Sequence, residues 1–226
     1  MVFGLKMFIY NYNTPFIMMF LTSLFKKSEI DILKGEIGMS SKILVVGPMA
    51  DYSKGDPTLP ILIKVLAINP RNITVIDYQG SAIERLRGEV LPCYGNLKIT
   101  AESVKRLSSI SPHFVYANAL SLPFKENSFD VIIDRGTHQF ILMNNPKKMG
   151  ELLSQYAKVL TKDGRLIFFC FNSGPPNLFV KLVKELSHLG FIVDAKEAKP
   201  LVSFKWKRES YNVAYTADQY IVAYRK

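Results

Sequence analysis

Apolar residues in this chain fall into two kinds of run. Ile43 to Val46 and Ile73 to Ile76 are short and β-branched and lack polar alternation, which suits parallel strands covered on both faces. Between them a turn carrying Gly47, Pro48 and Gly55 leads into the apolar stretch Leu59 to Ile68, long enough for a crossover helix that ends near Asn69-Pro70. The unit reads as βαβ. Similar runs predict strands over His113–Ala117, Phe129–Asp134, Arg165–Phe171, Phe191–Val193 and Tyr220–Tyr224. Apolar residues at helical spacing predict helices over Ser81–Val90, Thr100–Ile110, Lys147–Leu160 and Asn177–Leu189. Lys162-Asp163-Gly164 reads as a turn into the fifth strand. Strands and helices alternate until the last two strands, the pattern of an α/β fold with a doubly wound sheet of seven strands.

Upstream, residues 15–26 and Ser28–Ile37 read as two helical segments, so residues 1–40 are expected to form an N-terminal helical extension or lid and residues 41–226 the main domain. The first 25 residues are apolar, yet the longest uninterrupted part, Phe16 to Leu21, falls far short of the roughly 20 residues of a spanning helix. No small-residue cleavage site follows. A docking helix is expected there, with no membrane span.

Composition narrows the class. With 226 residues, 48% of them hydrophobic, the chain can bury a full core. A formal net charge of +10 favours anionic partners, although the charges are dispersed rather than in one run, which a merely basic surface would also show. Cys93 and Cys170 offer neither a disulfide framework nor metal-ligand spacing, and a reducing cytoplasm fits them best.

In an open α/β sheet the ligand lies beyond the carboxyl ends of the strands, where Gly47 and Asp77 fall. A carboxylate ending the second strand can accept from two vicinal hydroxyls of a ribose, which points to a nucleoside-containing ligand. The alternative is a strand-end acid that caps a helix or pairs with a base.

Asn118-Ala119-Leu120-Ser121-Leu122-Pro123-Phe124, then Ser128-Phe129-Asp130-Val131-Ile132, and Leu160-Thr161-Lys162-Asp163-Gly164-Arg165-Leu166 resemble the class I S-adenosylmethionine-dependent methyltransferases. The resemblance runs from about Lys42 to the C-terminus. It implies a Rossmann-like, mostly parallel sheet with a late antiparallel strand pair. It also implies cofactor contacts at Gly47, Pro48, Met49, Asp77, Tyr78, Asn118, Ala119 and Asp134. Two departures stand out. Of the family's Gly-x-Gly-x-Gly only Gly47 is kept, with Met49 and Asp51 at the other two positions, so a rebuilt loop that includes Gly55 is expected. Asn118 replaces the family's aspartate, and its amide can still accept from an adenine amino group and donate to a ring nitrogen.

Asp134-Arg135-Gly136-Thr137-His138 ends the fourth strand where the family places the transferring methyl. His138 is the histidine placed to act as a base, with a helix-capping or core role the alternative; His113 and His188 are assigned no chemistry. The resemblance implies a methyltransferase using S-adenosyl-L-methionine on an unidentified acceptor, a small molecule first and RNA or protein second. The C-terminal cations Lys199, Lys205, Lys207, Arg208, Arg225 and Lys226, interleaved with Phe204, Trp206 and Tyr211, leave RNA or an acidic partner open. Two other classes compete: an NAD-dependent oxidoreductase, which shares the βαβ opening, and a non-catalytic nucleoside-binding module that has lost its glycine loop. No metal site is expected.

Overall fold

The computed structural model describes residues 27–47, 58–90, 111–170, 178–197 and 219–225. The β-branched runs form strands β1 (Ile43–Val46), β2 (Ile73–Asp77), β3 (His113–Tyr116), β4 (Phe129–Asp134) and β5 (Leu160–Cys170), and the C-terminal part adds β6 (Phe191–Glu197) and β7 (Gln219–Arg225). They make one sheet in the order β3-β2-β1-β4-β5-β7-β6. The first five strands pair in parallel, and β7 runs antiparallel to both β5 and β6. This is the doubly wound, seven-stranded sheet with a late antiparallel pair that the sequence leads one to expect.

Five helices are described: α1 (Lys27–Glu36), α2 (Gly80–Val90), α3 (Thr137–Asn144), α4 (Met149–Val159) and α5 (Leu178–His188). Successive residues of a strand point to opposite faces, so each buried strand feeds two cores. Leu44, Val46, Ile132, Leu166 and Phe168 pack with Leu152, Leu153 and Tyr156 of α4 and with Leu182 and Leu186 of α5. Ile43, Val45, Val75, Ile133 and Phe169 pack on the other face with Ile30 and Leu33 of α1 and Ala82 and Leu86 of α2. Two covered faces explain why β1 and β4 carry no polar alternation.

Three elements differ from expectation. The crossover after β1 is a three-residue turn, Thr58–Pro60, running into a π-helical turn, Ile61–Val65. Its turns are widened, with Leu66 N–H donating to Ile61 O at 3.0 Å and Ile68 N–H to Leu62 O at 2.9 Å. Pro60 has no N–H for a regular α-turn, and Ala67 at φ +53° ends the segment. The Lys162-Asp163-Gly164 turn lies inside β5 as a bulge: Phe129 pairs with Leu160 and Val131 with Arg165, so five steps along β5 oppose two along β4. Finally, α1 is a layer of the core. Ile30, Leu33 and Ile37 are buried among the strands, and Glu36 is held by Arg165, Nε to Oε2 at 3.2 Å and Nη1 to the main-chain oxygen at 3.0 Å, and by the Tyr224 hydroxyl at 3.0 Å. Residues 15–26, the expected helix 100–110, the loop 48–57 and the basic segment 199–211 lie outside the described residues.

Candidate functional site

Strand order reverses between β1 and β4: β2 and β3 lie to one side of β1, and β4 and β5 to the other. Such a switch point opens a crevice at the carboxyl ends of the strands. Register brings the ends level, because Val46 of β1 pairs with Ile76 of β2 and with Asp134 of β4, and Asp77 pairs with Tyr116 of β3.

Gly47 follows β1, at the centre of this edge. Its φ of +56° lies in the left-handed region, and its N–H donates to Ile76 O at 3.0 Å. A Cβ here would run into Oγ1 of Thr137, the first residue of α3. Glycine is therefore required twice, by conformation and by the close approach of the chain leaving β4. Pro48 and Met49 lie outside the described residues.

Asp77 closes β2, half-buried. Its Oδ1 accepts from Gln79 N–H at 2.8 Å, so the two residues after the strand turn about the carboxylate. Burial pushes this carboxyl above the ordinary aspartate value, a rise only partly offset by the N–H groups of Gln79 and Tyr78. Tyr78 is exposed on the crevice edge, its hydroxyl accepting from Gln79 Nε2 at 2.9 Å. Asn118 follows β3 and is exposed. Its Oδ1 accepts from Leu120 N–H at 3.0 Å, and its main-chain oxygen takes Ser121 N–H at 2.9 Å. Ala117 N–H donates to Asp77 O at 3.0 Å, tying the two strand ends together. Ala119 is partly buried against the core. Gly47, Asp77, Tyr78, Asn118 and Ala119 thus share one edge of the sheet.

Asp134 and His138 take a different part. Asp134 is 1% exposed and its carboxylate is enclosed by donors: Gly136 N–H at 3.0 Å, His138 N–H at 3.1 Å, His138 Nδ1 at 2.9 Å and the Tyr156 hydroxyl at 2.8 Å. His138 is fully buried, its ring edge against Phe168 at 5.2 Å. The expected cofactor contact and base are here a buried network that fixes how the chain turns from β4 into α3, the core alternative for His138. Burial and Asp134 hold the Tyr156 hydroxyl well above its usual value, so it stays a donor. Arg135 is also turned inward, its guanidinium 5.3 Å from the Phe169 ring.

Thr137, Tyr156 and Phe140 were not legible as site residues. Gly136, at φ +112°, was a usable signal, since a glycine two residues after a strand-end acid fits the tight turn that the carboxylate caps. Tyr156 reads only as one more apolar position of its helix.

Comparison with known proteins agrees with this architecture. A family model described as "Methyltransferase domain" matches residues 62–168. Demethylmenaquinone methyltransferases of Listeria welshimeri and Listeria monocytogenes are 35% identical over 82 residues, 36% of this chain and 32% of theirs. The chain thus matches about a third of the length of these curated relatives. Among solved structures, the 1,6-didemethyltoxoflavin-N1-methyltransferase of Burkholderia thailandensis, with 1,6-didemethyltoxoflavin and S-adenosylhomocysteine bound, aligns at TM-score 0.53 and 17% identity, covering 93% of this chain and 80% of that one. An S-adenosylmethionine-dependent methyltransferase of Thermotoga maritima aligns at TM-score 0.53 and 17% identity over 92% and 93%. The chain thus has the fold of the class I S-adenosylmethionine-dependent methyltransferases, with a seven-stranded sheet of this order, and its residues 62–168, from the crossover after β1 into β5, are similar to a methyltransferase domain.

Proposed function

We propose that this protein transfers a methyl group from S-adenosylmethionine to a small-molecule acceptor. The observation that carries the reading is the row formed by Gly47, Asp77 and Asn118 along one strand-end edge. Asp77 presents a half-buried carboxylate whose raised pKa records incomplete solvation, and ribose hydroxyls would supply the missing donors. Asn118, one strand further out, offers an exposed amide to the adenine. Gly47 closes β1 beside them, at the strand end that the ligand's amino-acid end would approach, while the space a Cβ would take there is held by Thr137. These residues fit the group.

Bound there, S-adenosylmethionine supplies an electrophilic methyl on a sulfonium that departs as a thioether. The chain's own task is then to bind, to align the acceptor and to exclude water. Asp134, His138 and Tyr156 hold the turn that sets Thr137 against Gly47, at the β4 side of the crevice where the acceptor would approach. With His138 enclosed, this reading assigns it positioning rather than proton removal. A small molecule is supported by the names of the similar proteins, which give demethylmenaquinone and 1,6-didemethyltoxoflavin. RNA or protein as acceptor stays the second reading, and the basic segment 199–211 that leaves RNA open lies outside the described residues.

Calorimetry with S-adenosylhomocysteine tests the reading. Asp77→Ala is expected to weaken binding by roughly tenfold or more, the worth of hydrogen bonds to a charged acceptor. Unchanged affinity would refute the ribose assignment, and thermal stabilisation by NAD but not by S-adenosylhomocysteine would select the oxidoreductase instead.

A further inference from the structure

The cations of this chain are dispersed along the sequence, but the fold gathers several of them at one end. Arg71 lies in the turn Pro70–Asn72 directly before β2, and Lys42 directly precedes β1. Lys125 stands in the loop before β4, and Lys162 in the bulge at the start of β5. Because β2, β1, β4 and β5 are neighbours in the sheet, four successive strands carry a cation at or just before their amino ends. Strands stand about 4.8 Å apart, which makes a row of roughly 15 Å. Lys158, in the last turn of α4, and Lys34, in the last turn of α1, widen it toward the helix layers on both faces. All six are exposed.

Few acids answer them. Asp130 accepts from Lys42 N–H at 2.9 Å, and Glu36 is taken up by Arg165 and Tyr224. In the described loops at this end the exposed acids are Glu126 and Asp163. Like charges within a screening length of about 8 Å repel one another and destabilise the compact state, so such a row implies an anionic partner. The bulge adds to the row: Thr161 to Gly164 stand against the single residue Asp130, an irregularity of the kind that re-aims side chains, and Lys162 sits within it.

From this geometry we propose that the amino end of the sheet is a docking surface for an anionic phospholipid bilayer. Two observations select a bilayer over nucleic acid. Met39, in the loop that leads to Lys42, is 70% exposed, and Leu189, in the turn before β6, is 42% exposed. Apolar side chains among cations are the mixture that seats a protein at a headgroup boundary. The exposed large aromatic residues, Tyr78, Tyr116 and Phe140, lie instead at or beyond the carboxyl ends of β2, β3 and β4, so the described part of this surface has no exposed ring on which a base could stack. No helix among the described residues is long and apolar enough to cross a membrane, so the docking is peripheral. A protein docked in this way holds its crevice, at the opposite ends of the strands, away from the bilayer and open to a dissolved acceptor.

The test is sedimentation of the full chain with vesicles, one set of phosphatidylcholine alone and one of equal parts phosphatidylcholine and phosphatidylglycerol. The wild-type protein is expected to bind the mixed vesicles and not the neutral ones, and to be released at about 1 M salt, where the screening length falls to about 3 Å. Each cation near an anionic surface is worth about fivefold in affinity, so Lys42→Gln, Lys125→Gln and Lys162→Gln together should weaken mixed-vesicle binding by about 100-fold. A control variant with Lys147→Gln, Lys148→Gln and Lys181→Gln loses the same net charge near the starts of α4 and α5, away from this end, and should stay within about threefold of the wild type. Circular dichroism melts confirm that both variants stay folded. Binding lost in the first variant and kept in the control supports the docking surface whether or not S-adenosylhomocysteine binds, so the proposal and the methyltransferase reading can fail separately. Equal losses in the two variants, or no binding of mixed vesicles by the wild type, overturn it and leave a basic surface without a bilayer partner. Binding of a labelled duplex RNA that is lost in the first variant alone, with mixed vesicles unbound, overturns it in favour of nucleic acid.

Discussion

At the scale of single residues, the crevice is built on positions where ordinary rules are broken for a reason. Gly47 carries two separable constraints, a left-handed conformation and the nearness of Thr137. Gly47→Ala should therefore destabilise by more than the roughly 1–2 kcal/mol that a left-handed residue with a Cβ costs. Adding Thr137→Ala should return the steric part and leave the conformational part, so that the two substitutions are non-additive by at least about 0.5 kcal/mol in chemical denaturation. Simple additivity would show that Thr137 is not what excludes a side chain. Asp77 carries a different cost. Its folded-state pKa is raised, so the folded protein binds the proton more tightly than the unfolded chain, and stability falls as the pH rises through the interval between the two values. Asp77→Asn keeps an acceptor for Gln79 N–H and removes the charge. Its melting temperature at pH 7 should exceed that of the wild type, and the difference should vanish as the pH falls below the ordinary aspartate value. A variant that is less stable than the wild type at pH 7 would contradict the assignment.

At the scale of elements, α3 shows how a turn is set by a buried carboxylate. The helix opens with no side-chain cap at Gly136, and Asp134, four residues before His138, takes its place by accepting from the N–H groups of Gly136 and His138. Tyr156 reaches across from α4 to complete the set. Tyr156→Phe should thus cost about 1.5–3 kcal/mol, the worth of a hydrogen bond to a charged group, read by urea denaturation; a loss below about 0.5 kcal/mol would show that Asp134 does not depend on it. This element was also the least legible in the sequence. Thr137–Asn144 is apolar on most sides and has no capping residue, so nothing in its pattern separates it from a loop. By contrast, Ile43–Val46 and Phe129–Asp134 were readable to the residue, because burial on both faces writes an unbroken β-branched run. The turn formers Lys162, Asp163 and Gly164 were read correctly as a local bend, but pairing of Leu160 with Phe129 carries the strand through them as a bulge. Asp77 was legible because its place follows from topology and Asn118 because it stands in the motif that carries the resemblance, whereas the buried network around His138 is completed by Tyr156, twenty-two residues from Asp134 on another helix.

At the scale of the whole molecule, the question is whether the segment before β1 is an appendage or part of what holds the sheet. Ile30, Leu33 and Ile37 are buried in the same cluster as Ile43, Val45, Ile133 and Phe169. Glu36 then pins the end of α1 to β5 and β7 through Arg165 and Tyr224, and burial together with Glu36 pushes the Tyr224 hydroxyl above its usual value, so it remains a donor. Each large aliphatic side chain buried contributes about 1.5–3 kcal/mol, so the three together contribute about 4.5–9 kcal/mol before their ordering cost. A domain holds only about 5–15 kcal/mol in total. The same helix covers the face of the sheet that carries Phe169, beneath the Arg135 that follows β4, so its loss also strips the support of the crevice. A chain beginning at Met39 is therefore expected to lose its cooperative thermal transition or to melt at a much lower temperature, with S-adenosylhomocysteine binding lost in parallel. The contrasting substitution Arg165→Met removes the ion pair but keeps the apolar contacts, and should cost only about 1–2 kcal/mol. If the shortened chain instead melts cooperatively near the full-length temperature, the buried face of α1 contributes little and the sheet is held by its remaining layers alone.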